Sequence, residues 1–410
     1  MDHNISRRRM LSVCGAMAGS VVAISPLTAD HPPTTNRTPS EREWPMEQYD
    51  AAGTSYSRTA SGPKENPRVR WKRPLNTRLG FTYKSTPIIA EGRVYAVDQE
   101  LLCVDAIDGT QIFRADRSYP APPAVITAQA YRSPTLAFAT QSGAEGLHPT
   151  GGRSFAGIHF GSTRWQASLD NTVYFFGGGQ QQIPPVAADG TVLVTALNDL
   201  LAIDASSGDI RWHGTGGEAR PAVRDNTVYV PSFSKGVIRY NLETGSAMSS
   251  IGTSSFRPLS VAAAPDCLVI GTDRGLAGAN YDGSTRWQYK PSGLDRDYGA
   301  VAVAEDVAYA GFRGDDQNWL VAIDIADGSE RWRSKMAPEQ EPQFAPPTVA
   351  DGVVYVPTED DGLVAIDAAT GDTRWRFTEG DQRLPWSPAA VVSETLYAVG
   401  NGHLYALEET

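Results

Sequence analysis

One unit of sequence returns along this chain in a constant order, and no other feature restricts the fold as much. Its clearest copy runs Ala345-Pro346-Pro347-Thr348-Val349-Ala350-Asp351-Gly352-Val353-Val354-Tyr355-Val356, then Gly362-Leu363-Val364-Ala365-Ile366-Asp367-Ala368, then Thr370-Gly371-Asp372-Thr373-Arg374-Trp375. Short runs of Val, Ile and Tyr between Asp-Gly and Thr-Gly turns read as four antiparallel strands of one sheet. The closing Gly-x-x-x-Trp step recurs as Gly161 with Trp165, Gly208 with Trp212, Gly283 with Trp287, Gly328 with Trp332 and Gly371 with Trp375, while Gly109 leads to Phe113 and Gly245 to Ser249. An eighth unit begins at Trp386-Ser387-Pro388, continues through His403-Leu404-Tyr405-Ala406-Leu407 and stops before a fourth strand. Near the other end, Val69-Arg70-Trp71 carries a Trp with no unit in front of it.

A lone sheet of this kind exposes two apolar faces and unpaired edges, which only neighbours on both sides can cover. The expected fold is therefore all-β, an eight-bladed β-propeller of four-stranded antiparallel blades over residues 44–410, closed by pairing of the N- and C-terminal strands. In each blade the Gly permits a positive-φ turn, the Asp of Ala-Ile-Asp binds turn amides, and the Trp packs between blades. Trp71, Trp165, Trp212, Trp287, Trp332 and Trp375 are thus structural repeat residues, not site residues.

The pattern Ser6-Arg7-Arg8-Arg9-Met10-Leu11, followed by an apolar stretch from Val13 to Ile24, resembles a twin-arginine signal peptide, assigned to residues 1–29. The stretch is too short to span a bilayer. Export to the cell surface or the extracellular space follows, with no membrane-integral segment. Residues 30–43, rich in Pro, Thr and Ser, read as a disordered linker; its Asn36-Arg37-Thr38 is either a glycosylation sequon or a chance match. The formal charge of −11 argues against nucleic acid as a partner, because a phosphate backbone needs a basic stripe. Cys14 precedes most of the apolar run, which argues against lipid anchoring. Cys103 and Cys267 are expected on strands of blades across the ring from one another, too far apart to bridge, as core residues.

A propeller offers its functional surface at a mouth of the channel, formed by the loops that lead into each innermost strand. Aligning the units places Ser85, Arg132, Ile183, Ala219, Arg257, Tyr298, Ala345 and Trp386 at equivalent positions, preceded by Lys84, Tyr131, Gln182, Glu218, Phe256, Asp297, Phe344 and Pro385. Lys84, Tyr131, Arg132, Arg257, Tyr298 and Trp386 make this mouth cationic and aromatic, suited to a planar or carboxylated ligand. Solvated loop residues of ordinary composition would look the same. The hairpins Arg313-Gly314-Asp315-Asp316 and Glu359-Asp360-Asp361 read as calcium sites or as solvated acidic turns, and the irregular stretch from Thr140 to Phe160 as an insertion in blade two.

The order Gly-x-Leu-x-Ala-Ile-Asp-Ala-x-Thr-Gly-x-x-x-Trp resembles the pyrroloquinoline-quinone (PQQ)-like repeat of quinoprotein alcohol dehydrogenases and of the bacterial outer-membrane assembly lipoprotein propeller. Trp44-Pro45-Met46, Asp50-Ala51-Ala52-Gly53-Thr54 and Tyr56 look like that family's lead-in to its first blade. The surplus of Arg over Lys with an acidic balance resembles exported proteins of salt-loving archaea. For a dehydrogenase the resemblance implies Ca²⁺ held against the quinone by carboxylate and amide oxygens, an Asp base and a vicinal disulfide. This chain has neither adjacent cysteines nor a Cys-x-x-Cys-His haem site, and Asp295, Asp297 and Glu218 lack a ligand spacing. The expectation is a monomeric, exported, non-catalytic binding or scaffolding propeller without cofactor or metal, recognising an envelope or extracellular protein or a small ligand. Its alternative is a PQQ- and Ca-dependent dehydrogenase of alcohols or sugars.

Overall fold

The computed structural model describes residues 39–76, 85–115, 119, 121–140, 143–155, 158–160, 162–168, 183–196, 199–252, 257–292, 301–314, 317–336, 345–358, 362–379 and 386–410. Residues 1–38, which hold the expected signal and most of the expected linker, lie outside them. Eight blades follow one another in a ring, and in the first seven the strands of the blade are joined to their neighbours in sequence order. Blade one is typical, with Ile88–Ala90, Arg93–Val97, Leu101–Asp105 and Gln111–Ala115. Innermost strands are short and wholly buried, as in Ile88–Ala90, Val186–Ala188 and Thr348–Ala350, whereas outermost strands such as Thr373–Phe377 alternate between core and water. Among the described residues no helix is long and apolar enough to cross a membrane.

In blades one, three and seven the first and second strands are joined by two-residue turns in which both residues take positive φ: Glu91 and Gly92 (49° and 71°), Asp189 and Gly190 (44° and 73°), Asp351 and Gly352 (42° and 76°). Such a turn matches the right-handed twist of the flanking strands, which explains the Asp-Gly signals.

Blade eight confirms the closure expected from the repeats. Its strands Ala390–Val392, Thr395–Gly400 and His403–Glu409 are completed by Pro67–Pro74. The ladder runs antiparallel from Pro67 opposite Glu409 to Pro74 opposite His403, and Arg68 adds an ion pair to Glu408 at 2.8 Å.

The repeated tryptophans join each blade to the next. Trp165, Trp212, Trp287 and Trp332 donate from Nε1 to the carbonyls of Ala205, Leu242, Ile325 and Ala368 at 2.8–3.0 Å, and Trp71 to Ala106 at 3.2 Å. Each acceptor directly follows the Asp or Asn that caps a turn in the next blade, as Asp204 does for Ser206 at 2.7 Å. Blade eight has no such turn, so Trp375 binds Pro63 instead, at 2.9 Å. The glycine of the receiving turn lies against the same indole: a Cβ on Gly208 would sit 2.7 Å from Trp165.

Two blades depart from the pattern. Blade four has three strands, Ala222–Arg224, Thr227–Ser232 and Gly236–Asn241, and in place of a fourth only the bridges Val237–Ile251 and Tyr240–Ala247. This is the unit where Ser249 stands in the Trp position. In blade two the strands are Ala124–Ile126, Thr135–Thr140, Gly143–Leu147 and Thr163–Ser168, so the insertion is narrower than the stretch from Thr140 to Phe160: a hairpin of Arg153–Phe155 and Ile158–Phe160 between the third and fourth strands. The innermost strand therefore follows Ala121-Pro122-Pro123, the counterpart of Ala345-Pro346-Pro347, and not Pro134. The long connection 127–134, where six other blades have a two-residue turn and blade five has four residues, displaced the alignment. Cys103 and Cys267 are buried free thiols; Cys103 lies on a strand and Cys267 in the bend before Leu268–Thr272.

Candidate functional site

The ring has two ends. The connections from one blade to the next and the hairpins between second and third strands emerge at what we term the upper end; the remaining turns emerge at the lower.

Innermost strands leave amides facing the axis, and buried amides need partners. The lead-in supplies them. Trp44 and Ile89 exchange two backbone hydrogen bonds (2.8 and 2.9 Å). Val125, Val223, Ala263, Val303 and Val349 then donate in turn to the carbonyls of Pro45, Ala51, Ala52, Thr54 and Ser55 at 2.7–2.9 Å. Both ends of the segment meet blade eight, where Ser393 donates to Glu41 at 2.7 Å and accepts from Ser61 at 2.6 Å. The chain thus makes one circuit inside the ring and touches seven blades. Its bonds fall on the middle or last residues of the innermost strands, so it occupies the lower part of the axis. Trp44, Met46, Tyr49, Ser55 and Ser57 are buried there, with the Trp44 and Tyr49 rings 4.9 Å apart. So tight a circuit needs unusual backbone: Gln48, Tyr49 and Ser55 hold φ of 58°, 71° and 52°.

Two side chains from the upper end reach down to this segment. Thr86 donates from Oγ1 to Glu47 Oε1 at 2.8 Å, and Arg220, 9% exposed, donates from Nη2 to the Asp50 carbonyl at 2.7 Å. Burial pushes the Asp50 carboxyl up, opposed by hydrogen bonds from Thr54 (N at 3.0 Å, Oγ1 at 2.9 Å) and by the Arg220 charge. Gly53, at φ 73°, is required here, because a Cβ would lie 2.9 Å from Arg220 Nη1. Glu47, Asp50 and Arg220 form the floor beneath the upper mouth. None was singled out from sequence, although Arg220 had a signal: it replaces the proline found at the equivalent Pro122, Pro184 and Pro346.

Of the six mouth residues, the four that are described do not share one surface. Lys84 and Tyr298 lie outside the described residues, as do Gln182, Phe256, Asp295, Asp297, Phe344, Pro385, Asp315, Asp316 and residues 359–361. Arg257 is exposed at the upper end, its amide 2.8 Å from Asp273 Oδ1. Trp386 is only 4% exposed, stacked on Tyr405 at 5.1 Å with Phe377 edge-on at 5.6 Å. Tyr131 and Arg132 correct the alignment: they lie on the lower connection of blade two. Tyr131 lies under the Arg164 guanidinium, 4.3 Å away, which binds the carbonyls of Ser133 and Pro134 at 2.9 and 2.8 Å.

The described residues do not fit a calcium–quinone pair. No group of three or more His, Cys, Asp or Glu among them could hold a metal, and the two described cysteines belong to separate blades. The Trp386 ring, the one indole the mouth could offer to a flat cofactor, is already stacked. A recess of about 480 Å³ lies at the outer rim of blade seven, lined by Glu65, Asn66, Asp367, Thr370, Asp372 and Arg374. Asp367 caps its own turn there and pairs with Arg374 at 2.6 Å.

A family model described as outer membrane protein assembly factor BamB matches residues 158–296 and 276–410, together more than half of the chain. No curated protein sequence matches. Among solved structures, BamB from Moraxella catarrhalis superposes with a TM-score of 0.59 at 13% identity, covering 83% of this chain and 99% of that one. Quinohemoprotein alcohol dehydrogenase from Comamonas testosteroni gives 0.66 at 14% identity, covering 90% of this chain and 80% of that one. The quinohemoprotein alcohol dehydrogenase ADHIIG from Pseudomonas putida HK5 gives 0.65 at 12%, with the same coverage. At these identities the structures share a fold with this chain.

Proposed function

This chain belongs to the PQQ-repeat propeller family described as outer membrane protein assembly factor BamB, and on that premise we propose an exported, non-catalytic binding propeller that recognises a protein through the upper end of its ring. One observation carries the choice of end. The lead-in hydrogen-bonds to the innermost strands of six blades and to the turn after that of blade eight, so among the described residues it occupies the lower part of the axis, which favours the upper end for a partner. Binding to a rigid ring through loops of several blades needs no reacting group, which agrees with floor residues spent on holding the lead-in.

Site-specific photo-crosslinking in the producing cell tests this. A photoreactive residue at Gln99 or Ser234, both on upper hairpins, is expected to give one discrete adduct in the exported fraction, and the same residue at Asp225 or Glu394, on lower turns, none. Adducts from the lower turns alone would overturn the reading. So would incubation with PQQ and Ca²⁺ that yields a quinone absorbance surviving desalting together with dye reduction by alcohols or sugars.

A further inference from the structure

The upper end is not uniform in charge, and the difference indicates what it binds. In blades eight and one, described cations at this end are neutralised: Lys72 pairs with Glu379 and Arg114 with Glu100. At the lower end, too, the outer turns are paired, Arg211 with Asp204 and Arg331 with Asp324. From blade four to blade six, exposed cations without such a partner stand at this end among the described residues, the last of them Lys335. Lys235, on the upper hairpin of blade four, and Arg257 and Arg274, at the upper end of blade five, are exposed and form no ion pair among the described residues. Asp273, between the two arginines, already accepts from the Arg257 amide, and its own amide donates to the Arg257 carbonyl at 3.0 Å. On the same hairpin as Lys235, Phe233 is 46% exposed, and the strand that leads to it, Thr227–Ser232, packs against Pro258–Ala263, the strand that follows Arg257.

We infer that blades four and five form a docking surface for an acidic, extended protein segment that carries an apolar side chain onto Phe233. This rests on the upper-end reading above. The chemistry follows from the residues present. An aromatic ring among arginines is the composition of interface hot spots, since it combines apolar burial with forked donors for carboxylates. A chain of net charge −11 repels acidic partners over most of its surface, so one sector of unpaired cations admits such a partner in one orientation.

The probe is a fluorescein-labelled 12-residue peptide of Asp and Glu with a central Leu, titrated by anisotropy into the full chain at low and high salt. Saturable binding is expected, weaker at high salt, reduced about tenfold in R257E/R274E and several-fold in F233A. The neutral pair R257Q/R274Q should give an intermediate loss, and R132E, at the lower end of blade two, none. Equal binding to wild type and R257E/R274E would overturn the inference. So would preference for a sulfated polysaccharide of the same length over the peptide, which would assign the cations to a glycan. The crosslinking separates the two levels: adducts from Ser234 that persist in R257E/R274E sink the acidic-segment inference alone, while their absence in the unsubstituted chain sinks the upper-end reading itself.

Discussion

Glycine and tryptophan act as a pair across five of the blade boundaries, and each explains why the other is there. The indole takes the place that a Cβ would need, and the turn it covers presents the carbonyl that its Nε1 binds. Gly208→Ala therefore combines a positive φ of 83° with a Cβ 2.7 Å from Trp165, and about 2–4 kcal/mol of lost stability is expected in denaturant titration. Gly92→Ala is the control. Its φ is 71° but nothing lies within 4 Å, so about 1 kcal/mol is expected; equal losses would show that backbone strain and not the indole sets the cost. Trp165→Phe keeps most of the packing and strands the buried Ala205 carbonyl, for about 1–2 kcal/mol. These roles were legible in the sequence because they recur at fixed spacing. Arg220 and Glu47 were not, because each makes its contact once, with a segment more than thirty residues distant in the chain that no local pattern brings to it.

At the level of elements, the lead-in behaves as an internal strand laid across the strands of the ring. A segment held by one or two backbone bonds to each of seven blades cannot detach from one blade without losing its path past the next. The amides of Val125, Val223, Ala263, Val303 and Val349 should therefore exchange hydrogen as slowly as the ladders within blades, in one class. Faster exchange at these five, with ladder amides still protected, would mean that the lead-in opens by itself. Sequence likeness had marked Trp44 to Tyr56 as a lead-in; where it ran was not legible, because its contacts are backbone carbonyls that any residue could supply. Blade two shows the opposite failure. Its strands were legible one by one, but connection 127–134 is long enough to place a second proline before a strand, and Tyr131 with Arg132 were carried to the wrong end of the ring.

For the whole molecule, closure makes every blade a neighbour of two others, and the titrating groups in the core share that fate. Burial pushes Tyr49 of the lead-in, Tyr309 of blade six and Tyr397 of blade eight up to about 12, and burial with Glu379 nearby does the same for Tyr405. The Cys103 thiol of blade one is likewise raised to about 12 by burial. In the unfolded chain these groups ionise near pH 10 for tyrosine and near 9 for the thiol. Raised folded values mean that the native state holds protons the unfolded chain has already released. Their contribution to stability is therefore complete below about pH 9 and is lost as pH rises through 10 toward 12. The melting temperature should stay level from about pH 7 to 9 and fall steeply above it. The raised groups are spread over the lead-in and blades one, six and eight, and the ladder between Pro67–Pro74 and His403–Glu409 ties the first and last of these together. Loss of protons anywhere should thus unfold the ring as one unit, with tyrosinate absorbance and far-ultraviolet circular dichroism changing together. Deleting residues 403–410 removes the strand between Pro67–Pro74 and Thr395–Gly400, and should replace that single transition by a broad one at every pH. A sharp transition in the shortened chain would mean that an open arc of blades is stable without closure.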